Sequence, residues 1–469
     1  MTLSVVDAAR EEPDAIALRH AGASVSWAER AARALGAVAW LRARGIGGGR
    51  AEPSAPVALT AEATPAFVAW LDALLLLGVP ALLVHPRLVE AERAALLARA
   101  RPSLVVASDV EPPPAVRTPH DVPRALSPEL PALIVTTSGS TGEPRGVVLS
   151  RRAIEASASA SAAHLGWEAD DRWLLAMPPA HVGGVSVLIR CLTGRRTAVL
   201  APPAGGPRLP PAALARLLED ERITLASLVP SQLRLLLELE PRWAPVRALR
   251  AVLLGGAAAP PALLADARAR GVPVLTTYGL TEAASQVTTE RPGEAPLGPR
   301  GAGVPLPGVE LRVVGGRILV RGPTLLSGHW PPDAASPLDG DGWLDTGDLG
   351  HLDAGGALHV TGRASERIVS GGENIHPAEV ERALLEHHAV EEACAVGVPD
   401  EAWGERVVAV VTLRAGRQAA PEELCAFAAT RLAGYKRPRR VIVTAALPRT
   451  TTGKVHRAAV RSALAPPLG

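Results

Sequence analysis

Apolar stretches of helical period alternate with short aliphatic and β-branched runs through roughly the first 360 residues. Residues 86–100 (PRLVEAERAALLARA) put their apolar side chains on one helical face, and 103–107 (SLVVA) follow as a strand. The same pairing recurs as 212–221 with 223–229, and as 260–270 with 272–276. A chain that passes from strand to helix to strand crosses over its own sheet, which favours parallel pairing with helices on the faces. The expectation is an α/β fold with largely parallel sheets. Around 309–320 (VELRVVGGRILV) the pattern becomes two alternating runs about a Gly-Gly pair, a small β subdomain. From about residue 364 it changes again. Helix Pro377–Glu386, strands Glu392–Val398 and Arg406–Leu413, helix Glu422–Leu432 and strand Arg440–Thr444 read as a compact α+β unit of about 100 residues. The Pro-rich stretches 112–124 and 201–211 read as surface loops.

Several classes are disfavoured. The most apolar segment, Phe67 to Val84, carries Asp72 and a Gly78/Pro80 break, so it reads as a buried helix, a turn and a strand rather than a membrane span. No stable membrane insertion is expected. The N-terminal MTLSVVDAAREEP has no basic segment followed by an apolar one, so no secretory signal is expected. Cys191, Cys394 and Cys425 are far apart and lack metal-ligand spacing, which fits a reducing cytoplasm. A net charge of +2 supplies no electrostatic footprint for nucleic acid. Self-association is left open.

The basic residues are 47 Arg and only two Lys, Lys436 and Lys454, and Asn374 is the sole Asn. In a chain so biased toward Arg, a surviving Lys is a candidate for a specific chemical task.

Residues 136–147 (TTSGSTGEPRGV) follow the apolar run LIV. Glycines and small hydroxylated residues let backbone N–H groups approach an anion closely, and the hydroxyls add donors. The Walker A spacing is absent. The string resembles the phosphate loop of the adenylate-forming superfamily, which includes acyl-CoA synthetases, luciferases and the adenylation domains of peptide synthetases. Further resemblances follow in order. Thr277-Tyr278-Gly279-Leu280-Thr281-Glu282 is similar to that family's YGxTE motif, and Trp343-Leu344-Asp345-Thr346-Gly347-Asp348 to its (Y/W)xxTGD motif. Gly362-Arg363 with ASERIVSGGENIHPAEVE resembles its hinge, and Pro448-Arg449-Thr450-Thr451-Thr452-Gly453-Lys454 its C-terminal lysine motif. Arg145 departs from the pattern, since the family usually has Lys there; Arg keeps the charge and donors but is bulkier and forked.

The resemblance implies a large N-terminal domain, 1–364, of α/β subdomains plus the small β subdomain, and a mobile α+β C-terminal domain, 365–469. It implies ATP, Mg²⁺ and coenzyme A, and a small-molecule carboxylic acid that is first adenylated and then passed to a thiol. A carrier protein in place of coenzyme A stays open. Thr137, Ser138, Gly139, Ser140, Thr141, Gly142 and Arg145 would cradle phosphates. Thr281 would touch the α-phosphate, and Glu282 would hold Mg²⁺, a hard cation that wants carboxylate oxygen. Tyr278, flanked by Thr277 and Gly279, would stack on adenine beside Gly256 and Ala257. Asp348 and Arg363 would meet the ribose. Lys454 would act on the oxygen bridging carboxylate and α-phosphate. Lys436 would hold coenzyme A phosphate or fix the C-terminal domain. Gly371 and Gly372 would let the pantetheine arm pass close to backbone, and Ser365 would be the hinge.

Residues 177–190 (MPPAHVGGVSVLIR) contain no Asp, so the amino-group partner of the peptide-synthetase domains is missing and an α-amino acid substrate is disfavoured. With LLGGAAAP (253–260) and TTYGLTEAASQVTT (276–289), this segment most resembles the o-succinylbenzoate–CoA ligases of menaquinone biosynthesis. The alternative is a CoA ligase for another aromatic or medium-chain acid. His181 would line or gate the acyl pocket. Ser186, Arg190, Ser285 and Gln286 are candidates for a second, non-reacting carboxylate. A nucleotide-binding scaffold without activity is the contrasting reading, and the intact Glu282, Asp348, Arg363 and Lys454 argue against it.

Overall fold

The computed structural model describes residues 2–47, 55–108, 110–114, 126–138, 144–202, 209–294, 301–332, 336–370, 373–400, 403–450 and 454–464. The chain packs as two compact units. One comprises Met1–Ala259, Leu263–Leu311 and Val320–Leu344; the other comprises Pro260–Ala262, Arg312–Leu319 and Asp345–Gly469.

The first unit is built on two large sheets. In one, parallel strands Val274–Leu280, Ala251–Leu254, Leu225–Leu228, Arg172–Leu175, Thr197–Leu200 and Ile16–His20 lie side by side. Antiparallel strands close both edges, Ser285–Thr289 and Val304–Pro305 at one end and Ala23–Ser26 at the other. In the other sheet, Pro131–Ser138, Ala81–Val84, Val57–Thr60 and Leu104–Val106 are parallel. Pro144–Ser150 and Gly328–Trp330 add an antiparallel edge. The expected strand–helix alternation is present with ends displaced by a few residues, as at Glu90–Ala100, Pro211–Asp220 and Pro261–Ala269. A smaller sheet orders Glu310–Val314, Arg317–Arg321, Leu344–Leu352 and Leu358–Arg363.

The second unit has its own core, where Ile368, Val380, Leu384, Val390, Val407, Val411, Leu424 and Val441 are buried together. Helices Pro377–Leu385 and Pro421–Ala429 and strands Val390–Asp400, Gly404–Leu413 and Arg440–Val443 match the expected α+β pattern.

The apolar segment 67–84 is the anticipated helix, turn and strand. Helix Pro65–Leu77 is capped by Thr64, whose hydroxyl accepts from Phe67 N–H at 3.2 Å. It stops at Gly78, which takes φ 67°, a conformation that costs a side chain with a Cβ. Strand Ala81–Val84 follows. Among the described residues, no helix is long and apolar enough to cross a membrane. Asp72 is 1% exposed and receives both arms of Arg30, from helix Trp27–Arg42, at 2.7 and 2.9 Å.

A buried pair of this kind is strongly destabilised when one partner is removed, because the other charge stays in the interior. Asp72→Ala should therefore lower unfolding free energy by about 3–5 kcal/mol in a urea titration. The double variant Arg30→Met/Asp72→Leu should recover most of that loss. A single variant as stable as the double one would show that Arg30 finds another partner.

Candidate active site

The hairpin of strands Val274–Leu280 and Ser285–Thr289, with its turn, carries seven of the expected site residues on a backbone that turns sharply. Ala284 and Ser285 hold φ values of 52° and 102°, unusual for residues with side chains. The register shifts between Tyr278 and Gly279. A Cβ on Gly279 would stand 1.8 Å from the Ser285 carbonyl oxygen, so only glycine fits. The turn residues Thr281–Ala283 form one 3-10 turn, and the Glu282 carbonyl accepts from Leu326 N–H at 2.8 Å. Tyr278, Thr281 and Glu282 are half-buried.

Behind the turn lies a buried hydroxyl and amide network. Thr277 Oγ1 donates to Thr288 O at 2.8 Å, and Gln286 Nε2 donates to Thr289 Oγ1 at 2.8 Å. Gln286 Oε1 accepts from Ser161 at 2.9 Å. Both ends of the Gln286 amide are thus engaged within the protein, which makes it a support of the hairpin rather than an open donor.

Helix Val182–Gly194 faces this hairpin through Ser186, whose Oγ lies 3.5 Å from Ser285 Oγ and donates to Gly183 O at 3.0 Å. Gly184 lets the helix start tightly, since a Cβ there would meet Pro178 O at 2.3 Å. His181 occupies the N-cap position. Arg190, two turns further on, is 2% exposed. Its Nε and one terminal nitrogen are buried without hydrogen-bond partners, and its guanidinium carbon sits 5.2 Å from the Trp173 ring. Burial pushes its pKa down to about 10, so it stays charged at neutral pH. Arg190, Ser186, Ser157, Val185, Ile189 and Ala284 line a narrow cavity.

The strands on either side of the phosphate loop pair with Thr137 opposite Arg145 and Ser138 opposite Pro144. Arg145 is exposed. Gly139, Ser140, Thr141 and Gly142 lie outside the described residues, as do Gly371 and Gly372. Gly256, at φ 79°, and Ala257 follow strand Ala251–Leu254 and are exposed. No group of three or more His, Cys, Asp or Glu able to hold a metal occurs among the described residues. Glu282 alone still suits Mg²⁺, which keeps several waters and takes one or two carboxylates alongside substrate phosphates.

The second unit brings Asp348, Arg363 and Lys454 together. Asp348, buried, is paired with Arg363 Nε at 2.9 Å across strands Leu344–Leu352 and Leu358–Arg363. The Lys454 residue reaches solvent, yet protein packed around its amine, and then the Arg363 guanidinium, lower its pKa while Asp348 opposes them. The Lys454 carbonyl accepts from Thr450 N–H at 2.8 Å. Arg449 pairs with Glu392 on one side; Arg457 pairs with Glu366 at 3.1 Å, and with Glu381, on the other. Lys436 instead pairs with Glu379 at 2.7 Å, at the head of helix Pro377–Leu385. The hydrogen bond it donates to Glu379 raises its pKa. Ser365 is exposed within the 3-10 turn Ala364–Glu366.

Two features were not singled out by sequence. One is the Arg449 and Arg457 brace, whose partners lie far away in the chain. The other is His85, at the end of strand Ala81–Val84, whose ring lies 5.1 Å from that of His181. Its position at the carboxyl end of a parallel strand was the available signal.

The chain belongs to the AMP-binding enzyme family, which it matches over residues 5–330, with the AMP-binding enzyme C-terminal domain matched over 379–454. It is 38% identical over 366 residues to an indoleacetate–CoA ligase of Aromatoleum aromaticum, covering 74% of this chain and 71% of that protein. It is 39% identical over 343 residues to a 2-succinylbenzoate–CoA ligase of Bacillus cytotoxicus, covering 71% and 70%. Among solved structures it is similar to the o-succinylbenzoate CoA synthetase of Bacillus subtilis in complex with the acyl-adenylate intermediate OSB-AMP. That match has a TM-score of 0.89 at 31% identity and covers 98% of both chains. The same enzyme with ATP and magnesium ion matches at a TM-score of 0.87, with 97% of this chain and 98% of that chain covered.

The two lysines give a direct electrostatic check. The Lys454 amine should titrate below the ordinary lysine value of 10.5 and the Lys436 amine above it. Reductive ¹³C-methylation followed by NMR across alkaline pH would give two side-chain signals, assigned by Lys454→Arg. The reverse order would refute the environment described for Lys454.

Proposed function

We propose that this chain is an ATP-dependent o-succinylbenzoate–CoA ligase. The observation that carries the substrate choice is Arg190, a buried guanidinium that lines the cavity with Ser186 and Ala284 and keeps two nitrogens without hydrogen-bond partners among the described residues. A buried charge is costly until paired and hydrogen-bonded. A dicarboxylic acid supplies the pair: one carboxylate meets Arg190 while the other reacts. An aryl-acetic acid such as indoleacetate has no second carboxylate and leaves Arg190 unsatisfied.

In the first half-reaction the free carboxylate of the succinyl arm attacks the α-phosphorus of ATP. The acyl–O–P bond forms, the bond to the bridging oxygen breaks, and pyrophosphate leaves with its Mg²⁺. Attack of an anion on a polyanion needs neutralisation where charge develops. Thr281 is assigned to the α-phosphate, Lys454 to the oxygen that comes to bridge the substrate carboxylate and the α-phosphate, and Glu282 to the metal. Tyr278 takes the adenine, and Asp348 and Arg363 the ribose. In the second half-reaction the thiol of coenzyme A loses its proton and displaces AMP, giving the thioester. Lys436 is held by Glu379, which favours its role in fixing the C-terminal unit. Ser365 is assigned as the pivot between the half-reactions.

Two experiments test the roles. Lys454→Ala should slow adenylate formation by the scale of a lost preorganised charge, about 3–4 kcal/mol. Thioester formation from supplied acyl-adenylate should survive. Ser365→Pro, which restricts φ, should adenylate normally and transfer poorly. Equal loss in both half-reactions for Lys454→Ala would remove Lys454 from the first transition state.

A third experiment tests the substrate. Benzoylpropionate lacks the ring carboxylate, and its kcat/KM should fall about a hundredfold or more below that of o-succinylbenzoate, the scale of one lost charge-assisted hydrogen-bond set (~3 kcal/mol). Arg190→Met should erase that discrimination while leaving thermal stability equal or higher, because an unpaired buried charge has gone. Comparable turnover of both acids by the unmodified enzyme would leave a CoA ligase for another aromatic or medium-chain acid.

A further inference from the structure

His85 follows strand Ala81–Val84, which runs parallel to Pro131–Ser138 with Leu83 opposite Val135. Extending that register sets His85 level with Thr137, at the start of the phosphate loop. Carboxyl ends of parallel strands are where α/β folds bind ligands. On its other flank the ring lies 5.1 Å from the His181 ring, tilted by 44°. His85 therefore stands between the phosphate-loop strand and the head of the helix that carries Ser186 and Arg190.

The imidazole is 5% exposed. Its Nδ1 accepts the Arg87 N–H at 3.1 Å, so in the neutral ring the proton sits on Nε2. Burial, with Arg87 adding to it, lowers the pKa to about 4, which keeps the ring neutral through physiological pH. Nε2–H is thus a fixed donor, buried, with no hydrogen-bond partner among the described residues. An orphaned buried donor carries a cost that a native site offsets when a ligand supplies the acceptor.

We propose that His85 donates from Nε2 to a substrate oxyanion, from the ATP phosphates or from the carboxylate being activated. This rests on the adenylation reading above and adds to it a residue from a different strand. A neutral donor suits this position. It binds an oxyanion without adding a further fixed charge, and the Arg87 contact has already set its tautomer.

The test uses two variants of the full chain. His85→Asn keeps an acceptor for the Arg87 N–H but has no atom at the Nε2 position. His85→Gln places an amide N–H near that position. Steady-state pyrophosphate release gives KM and kcat for ATP and for the acid, calorimetry gives the affinity for a non-hydrolysable ATP analogue without acid, and thermal melting reports folding. His85→Asn should lose at least about tenfold in one co-substrate's kcat/KM, the scale of one hydrogen bond. His85→Gln should stay within about threefold of the parent, with melting temperatures unchanged. A matching loss of analogue affinity identifies phosphate as the acceptor; a loss confined to the acid identifies the carboxylate. If His85→Asn matches the parent for both substrates and for the analogue, or His85→Gln falls as far as His85→Asn, the proposal is overturned. Absence of pyrophosphate release by the parent with any acid would instead overturn the adenylation reading, and analogue affinity alone would then decide whether His85 binds phosphate.

Discussion

The site of the first unit hangs on a backbone contact. At Gly279 the strand Val274–Leu280 and the returning Ser285 come so close that no side chain fits between them. The same approach forces Ala284 and Ser285 into positive φ. Local strain of this kind persists only where the surroundings over-determine it. Here Leu326 N–H holds the Glu282 carbonyl and Ser157 Oγ holds the Ala284 carbonyl at 2.7 Å, while Thr277, Thr288, Thr289 and Gln286 tie the two strands together behind the turn. Tyr278, Thr281 and Glu282 therefore project from a short segment whose backbone is fixed on both sides. Positioning of that quality is what an in-line attack between two anions requires.

Two buried arginines make opposite use of the interior. Arg30 is matched by the Asp72 carboxylate in a bidentate pair that joins two helices. Arg190 keeps two nitrogens without hydrogen-bond partners among the described residues, and its guanidinium lies over the face of Trp173. The first arrangement neutralises the charge and leaves one guanidinium nitrogen of Arg30 without a hydrogen-bond partner among the described residues. The second is incomplete, and its cost falls on the folded protein until an anion arrives. In the proposed reading, selectivity follows from that cost, because a ligand lacking the anion leaves the charge as it was.

Much of this was legible in the sequence because it is local. The helix–strand alternation specified crossovers and hence parallel sheets. The Gly78/Pro80 break located the end of the apolar helix, whereas the backbone contact at Gly279 emerged only from the structure. Asp348, Arg363 and Lys454 were expected in one chemistry from motifs over a hundred residues apart, and they meet within the second unit. What stayed hidden depends on pairing across the chain. No local pattern joins Arg30 to Asp72, Arg449 to Glu392 or Arg457 to Glu366 and Glu381. The internal engagement of Gln286 needed its neighbours' coordinates. His85 carried no local signal beyond following a β-run, and only the strand register sets it level with Thr137.

The Arg bias of the chain sharpens the meaning of its two lysines. At Arg145 a guanidinium stands where the family usually has an amine, which is tolerable for a residue that is exposed and asked only to present charge and donors to phosphate. Lys454 is under a different demand. A planar fork spreads its charge over several nitrogens and fits two oxygens of one carboxylate or phosphate; an amine concentrates charge at one point and can approach a single bridging oxygen from any direction. Arg449 and Arg457, five residues before and three after Lys454, are held in ion pairs with Glu392 and with Glu366. In the proposed reading, Lys454 is the position where one small charge must reach one atom, whereas Lys436, paired with Glu379, acts as a brace as Arg449 and Arg457 do.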